Sequence, residues 1–272
     1  MNKNSSNLPI GVFDSGIGGV TVLKSLIESF PHEKFIYLGD TARLPYGSKS
    51  PSKIYNYSEQ NIKFLYHQGV KAIVIACNSA SSHFTNSFYK EIPIYGVVKP
   101  SAYYAVNSTK NNKIGILGTK ATVTSQSYVD AIQSVDSKTN HIFQQACPLF
   151  VPLAEEGMAD DIVTEIIAKR YLESMLKENV DTIILGCTHY PILKPTLKKV
   201  GNSVVNWIDT GQSIAKLLIS EFNNNKILKN TESNFDKKIK ILTTDESQSF
   251  KDLASKILAR NNLDFQLVNL SF

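Results

Sequence analysis

The chain is poor in sulfur and in tryptophan: three cysteines, three methionines and one tryptophan in 272 residues. An odd, sparse set of cysteines excludes a disulfide framework and fits a reducing compartment. No cysteines are spaced as CxxC and no histidines as HxxxH, so the common zinc-site spacings are absent. No apolar run approaches the roughly 18 residues of a membrane span. The polar start, residues 1–7, leads into no signal-peptide core, because Gly11 and Asp14 interrupt the first apolar run. The expected location is therefore the cytoplasm, with no membrane partner. Neither sign of charge dominates, since 29 Lys and Arg stand against 24 Asp and Glu, a net +5. The lysines are dispersed or gathered near the C-terminus (Lys226, Lys229, Lys237, Lys238, Lys240), without interleaved aromatics. That pattern is a solvated face rather than a nucleic-acid surface. A dinucleotide fingerprint is also missing, because Gly16-Ile17-Gly18-Gly19 fails G-x-G-x-x-G at Thr21.

What remains is an ordinary globular composition, 42% hydrophobic and 19% charged, long enough for two domains. Short apolar runs at 9–13, 35–39, 70–76 and 94–98 alternate with helical spacing at 20–27, 51–68 and 80–89. Pro51 suits a first helical turn. The alternation predicts parallel β-α units. After residue 99 the plan repeats, with strands at 114–119, 180–186 and 204–209. An amphipathic helix is expected at 211–222, an Asn-, Lys- and Ser-rich flexible loop at 223–238, and a last strand and helix at 239–244 and 247–259.

Two segments carry the organisation. Val70-Lys71-Ala72-Ile73-Val74-Ile75-Ala76-Cys77 and Val180-Asp181-Thr182-Ile183-Ile184-Leu185-Gly186-Cys187 share one pattern, each followed by small polar residues. Cys187 lies 110 residues after Cys77, Ile114 lies 104 after Ile10, and Val151-Pro152 lies 107 after Leu44-Pro45. Matches in one order point to an internal duplication. The expected fold is α/β: two similar pseudo-symmetric lobes, each a mostly parallel sheet flanked by helices, with the site in the cleft between them. Residues 8–98 plus 211–272 make the first, discontinuous lobe, and 99–210 the second.

Ligands of open parallel sheets bind beyond the carboxyl ends of the strands, which is where both cysteines fall. A following helix N-terminus would lower each thiol toward neutrality. Two such thiols across a cleft are competent as acid and base. A buried cysteine is more often inert core, and Cys147, which has no repeated counterpart, is assigned that role. Asp14, with Ser15 at the first glycine turn, either caps a helix or serves the site, where free backbone N–H groups would hold an anion. Glu155 or Glu156 stands at the equivalent turn of the second lobe. His189 polarises Cys187, binds a carboxylate or is structural. Tyr46 is a cleft wall or a hydroxyl donor. A metal held by Cys187 and His189 would lack further ligands.

Taken together, Asp14-Ser15-Gly16-Ile17-Gly18-Gly19, Asp40-Thr41-Ala42-Arg43-Leu44-Pro45-Tyr46-Gly47, Ala76-Cys77-Asn78-Ser79, Cys147-Pro148-Leu149 with Glu155-Glu156-Gly157, and Gly186-Cys187-Thr188-His189-Tyr190-Pro191 resemble the glutamate racemases. The resemblance runs from about residue 9 to residue 211. It implies a cofactor-independent, metal-free enzyme that interconverts L- and D-glutamate for peptidoglycan, and a homodimer. Carried over by position, Cys77 and Cys187 are the acid/base thiols. Asp14 assists the first, and Glu155 and His189 the second. Substrate is bound by Asp14, Ser15, Tyr46, Gly47, Asn78, Ser79, Thr188 and His189. His189 stands where aspartate-specific relatives usually carry Glu. Ser79 replaces the family's usual Thr and keeps the hydroxyl.

Overall fold

Four short segments bury every residue they contain, and this fixes their place at sheet centres. In the computed structural model, which describes residues 7–139, 141–201, 205–225 and 239–270, these are β1 (Ile10–Asp14), β2 (Phe35–Gly39), β3 (Ala72–Ile75) and, later in the chain, Thr182–Gly186. Strands apolar on both faces need helices on both faces, the condition of a parallel sheet. The remaining strands in chain order are β4 (Phe88–Tyr89), β5 (Ile92–Gly96), β6 (Lys113–Gly118), β7 (His141–Ala146), β8 (the Thr182–Gly186 segment), β9 (Asn206–Asp209), β10 (Ile239–Thr243) and β11 (Asp264–Leu267).

They form two sheets. One has seven strands in the order β11-β10-β2-β1-β3-β5-β4, the other four in the order β7-β6-β8-β9. Every pairing is parallel except β4 with β5. The core β2-β1-β3-β5 of the larger sheet therefore has the topology of the whole smaller sheet. The register agrees to the residue. Ile10 pairs with Ala72 and Phe13 with Ile75; shifted by the offsets of the sequence repeat, these become Ile114 with Thr182 and Leu117 with Leu185, both observed. The 107-residue offset likewise turns Ile10–Phe35 into Ile114–Ile142.

Each sheet is covered on both faces. Helices Val20–Ser29, Thr210–Asn225 and Gln248–Leu258 bury Leu23, Leu26, Leu218, Phe222 and Phe250 on one face of the larger sheet. Helix Pro51–His67 covers the other with Ile54, Ile62 and Leu65. Its start is set by Pro51 at the first position and by the Ser50 side chain, which accepts from the Lys53 amide. The smaller sheet lies between Ile162–Lys177, which buries Leu172 and Met175, and the pair Val98–Ser108 and Ser127–Val135, which buries Ala102, Ala105, Tyr128 and Ile132.

Three local expectations change. The helix after Cys77 stops at His83, and the chain then forms the β4–β5 hairpin instead of continuing helical to residue 89. The 211–222 helix runs from Thr210 to Asn225, and the rest of the expected flexible loop, residues 226–238, lies outside the described residues. The expected strand at 204–209 is seen as Asn206–Asp209, with residue 204 also outside them. Among the described residues no helix is long and apolar enough to cross a membrane.

Candidate active site

The carboxyl ends of the strands in both sheets open on one cavity of about 230 Å³. From the larger sheet it is lined by Ser15 after β1, by Tyr46 and Gly47 on the loop after β2, and by Cys77, Asn78 and Ser79 after β3. The smaller sheet supplies Thr119 and Lys120 after β6, Cys147 after β7, and Cys187, Thr188 and His189 after β8. Asp14 and Glu155 do not line it; they stand behind Thr188 and His189.

Hydroxyl hydrogen bonds join the lobes around this cavity. Thr188 donates to Asp14 Oδ2 at 3.2 Å, and Thr21 to the Thr188 carbonyl at 2.9 Å. The Ser79 and Thr119 hydroxyls are 2.9 Å apart. The close approach explains the first glycine turn. A Cβ on Gly18 would lie 2.3 Å from Thr188 Oγ1 and 2.5 Å from His189 Nδ1, and one on Gly19 2.3 Å from Asp14 Cβ. The turn is not the open N–H nest expected from its glycines, because the Gly16 amide donates to Asp14 Oδ1 and the Val20 and Thr21 amides to carbonyls of the turn. Nor does Asp14 cap the helix: the cap position is Gly19, with no side-chain bond.

The two thiols have unlike surroundings. Cys77, 5% exposed, stands at the N-cap position of the helix Asn78–His83 and lies 3.8 Å from Ser15 Oγ. Burial pushes this thiol well up, and the Asp14 carboxylate pushes it further, outweighing the help of the Ala80 amide and Ser15. The expectation that a helix N-terminus would draw Cys77 toward neutrality is therefore reversed: desolvation exceeds what one short helix supplies. Cys187, 6% exposed, is followed by a 3-10 turn at Tyr190–Leu193 instead of a helix. Its Sγ is 3.8 Å from His189 Nδ1, whose Nε2 is 2.9 Å from Glu155 Oε1. Burial alone would lower His189, but Cys187, Glu155 and Asp14 outweigh it and hold the ring at about 10. The imidazole is positively charged at neutral pH. Asp14 is itself raised by burial, against His189, the Gly16 and Gly19 amides and Thr188.

Of the two acidic candidates at 155–156, the structure brings Glu155 to His189. Tyr46 is a wall whose hydroxyl is engaged: it donates to Asp40 and accepts from Asn61. Cys147 is buried with its thiol 3.4 Å from the Gln145 carbonyl, as assigned, yet it also lines the cavity. Thr119 and Lys120 were missed, although Thr119 is the repeat counterpart of Ser15 and the offset of 104 points to it. Nothing in the sequence marks Tyr128, which hydrogen-bonds Asn78. Among the described residues no three His, Cys, Asp or Glu side chains cluster as metal ligands.

Two duplicated parallel sheets that aim their strand ends at one small interlobe cavity, each contributing a thiol, define a two-lobed α/β protein with its site between the lobes. The chain belongs to the Asp/Glu/Hydantoin racemase family, whose sequence profile matches residues 10–218. A glutamate racemase of Sulfurihydrogenibium sp. (strain YO3AOP1) is 46% identical over 256 residues, 92% of this chain and 94% of its own. Among solved structures, glutamate racemase from Francisella tularensis subsp. tularensis SCHU S4 in complex with D-glutamate superposes with a TM-score of 0.89 at 36% identity, covering 97% of this chain and 98% of that one. The Thermus thermophilus enzyme in complex with beta-chloro-D-alanine gives 0.87 at 37% identity, covering 98% of each.

Proposed function

We propose that this chain is a glutamate racemase that works by two opposed thiols, Cys77 and Cys187, without a cofactor. The observation that carries this reading is the pair of thiols on one cavity, held at equivalent strand ends by a duplicated fold. The cavity, about 230 Å³, is below the usual range for larger ligands and suits a molecule of amino-acid size. The similarity to a structure holding D-glutamate supports the choice of substrate.

Racemisation breaks the Cα–H bond on one face and makes a new one on the other. One sulfur, as thiolate, takes the α-proton, and the opposite thiol returns a proton. The raised Cys77 holds its proton and is ready to donate. The positive His189 beside Cys187 supports removal of the α-proton from L-glutamate on that side. For D-glutamate the roles reverse. The carbanion forms in a dry site, where hydroxyl and amide donors of Ser15, Asn78, Ser79 and Thr188 can hold the substrate carboxylates. Gly47 lets the loop of Tyr46 approach Thr119 closely enough to close one wall. Asp14 anchors Thr188, and Glu155 anchors His189.

Three further features belong to this proposal: lobes of 8–98 with 211–272 and of 99–210, a homodimer, and a cytoplasmic role in supplying D-glutamate for peptidoglycan. Incubation of the purified chain with L-glutamate and no added cofactor, followed by circular dichroism, tests the activity. Decay of the signal to zero is expected. An unchanged signal with L-glutamate, alongside decay with L-aspartate, would move the enzyme to a different substrate.

A further inference from the structure

Asn78 is 2% exposed, lines the cavity, and has an amide nitrogen with no hydrogen-bond partner. A buried unpaired donor costs about 1–3 kcal/mol, so such a group at a cavity wall marks a place where a ligand acceptor belongs. The amide has two faces, and only one orientation offers N–H to the cavity. The other would present Oδ1, which repels a carboxylate.

The orientation is set from the other lobe. Tyr128, on helix Ser127–Val135 of the smaller sheet, is fully buried and donates to Asn78 Oδ1 at 2.6 Å. Burial pushes the phenol well up, so it keeps the proton it donates. The phenol is buried in the second lobe among Val98, Ala102, Ile132 and Ile184. The ring is thus held by the second lobe while its hydroxyl reaches the first, next to Cys77.

We propose that Tyr128 is a positioning residue of this site: it turns the Asn78 amide so that Nδ2 faces a carboxylate of the bound amino acid. This rests on the amino-acid substrate proposed above. It gives the second lobe a hold on a substrate contact carried by the first, so correct seating of the two lobes and a correctly turned Asn78 become one condition. Tyr128 itself does not line the cavity.

The test is a cycle of four proteins, wild type, Tyr128→Phe, Asn78→Ala and the double variant, with D-glutamate affinity measured by calorimetry. Loss of one buried hydrogen bond corresponds to about tenfold in affinity. Tyr128→Phe is expected to weaken binding about tenfold in the wild-type background and to change nothing once Asn78 is Ala. Equal weakening in both backgrounds, or none in either, overturns the proposal, because a merely structural tyrosine acts regardless of Asn78. A wild type that does not bind D-glutamate overturns the substrate reading, and this proposal with it. A second readout needs no folded Tyr128 variant. The side-chain amide signal of Asn78 in a ¹H–¹⁵N spectrum, assigned by its loss in Asn78→Ala, shifts when D-glutamate is added to wild type; an unmoved signal contradicts the proposal.

Discussion

Cys77 and Cys187 occupy equivalent strand ends, and their backbones follow one register. Their neighbours differ in kind. Around Cys77 stand a buried acid, Asp14, and the half-buried Ser15 hydroxyl; burial and Asp14 hold the thiol protonated against the pull of Ser15. Beside Cys187 stands a cation, His189, backed by the partly exposed Glu155. Duplication supplied two thiols. Divergence at the next residues, Asn78-Ser79 against Thr188-His189, gave each its own electrostatic setting. The proposed two-thiol mechanism needs a proton on one face and an empty base on the other, and this asymmetry matches that need.

The strongest break in this comparison is to remove either thiol. Cys77→Ser and Cys187→Ser are each expected to lower racemisation by about 10³-fold, with far-UV circular dichroism unchanged. Full activity in either variant would mean that one thiol suffices. Next in size is loss of the cation. His189→Gln is expected to cost about a hundredfold in kcat/KM. Because His189 is raised from 6.5 to about 10 in the folded chain, its contribution to stability is complete below pH 6.5 and is lost as the pH rises through about 10. The melting-temperature gap between wild type and His189→Gln should narrow over that window, and a constant gap would show that the ring is neutral. Gly18→Ala presses first on Thr188 and His189. It should destabilise by about 1–3 kcal/mol in urea unfolding and weaken the Cys187 side; wild-type stability would mean that the lobes sit further apart. The smallest effect belongs to Cys147→Ser. Its thiol lines the cavity but donates to the Gln145 carbonyl, and burial and Cys187 push it up; activity of the wild-type order is expected in the racemisation assay.

The central strands were legible because their burial leaves no polar face to blur the pattern: β1, β3, β6 and β8 are almost wholly inside. The repeat offsets then proved to be sheet registers, which made the two-lobed α/β arrangement readable from one sequence. β7 and β11 escaped notice because they are edge strands, half-buried or exposed, with Gln144, Gln145 and Gln266 among their residues. The helix after Cys77 read too long because Phe84 is buried and its periodicity continues past the break at His83. At the site, residues adjacent to a cysteine could be named, since they share its strand end. What lay beyond reach was set by packing across the lobes: that Tyr128 meets Asn78, that Glu155 and not Glu156 meets His189, and that burial lifts the Cys77 thiol where a helix terminus alone would lower it.

Racemisation of L-glutamate in D2O, stopped at low conversion and read by NMR of each separated enantiomer, tests the two opposed thiols most directly. On the proposed mechanism the sulfur that takes the α-proton is not the one that donates, and the donor's proton has exchanged with solvent. The D-glutamate formed should therefore carry deuterium at Cα, while the remaining L-glutamate stays protiated. D-glutamate that keeps the substrate's own proton would mean that a single base carries it across, and would contradict the account.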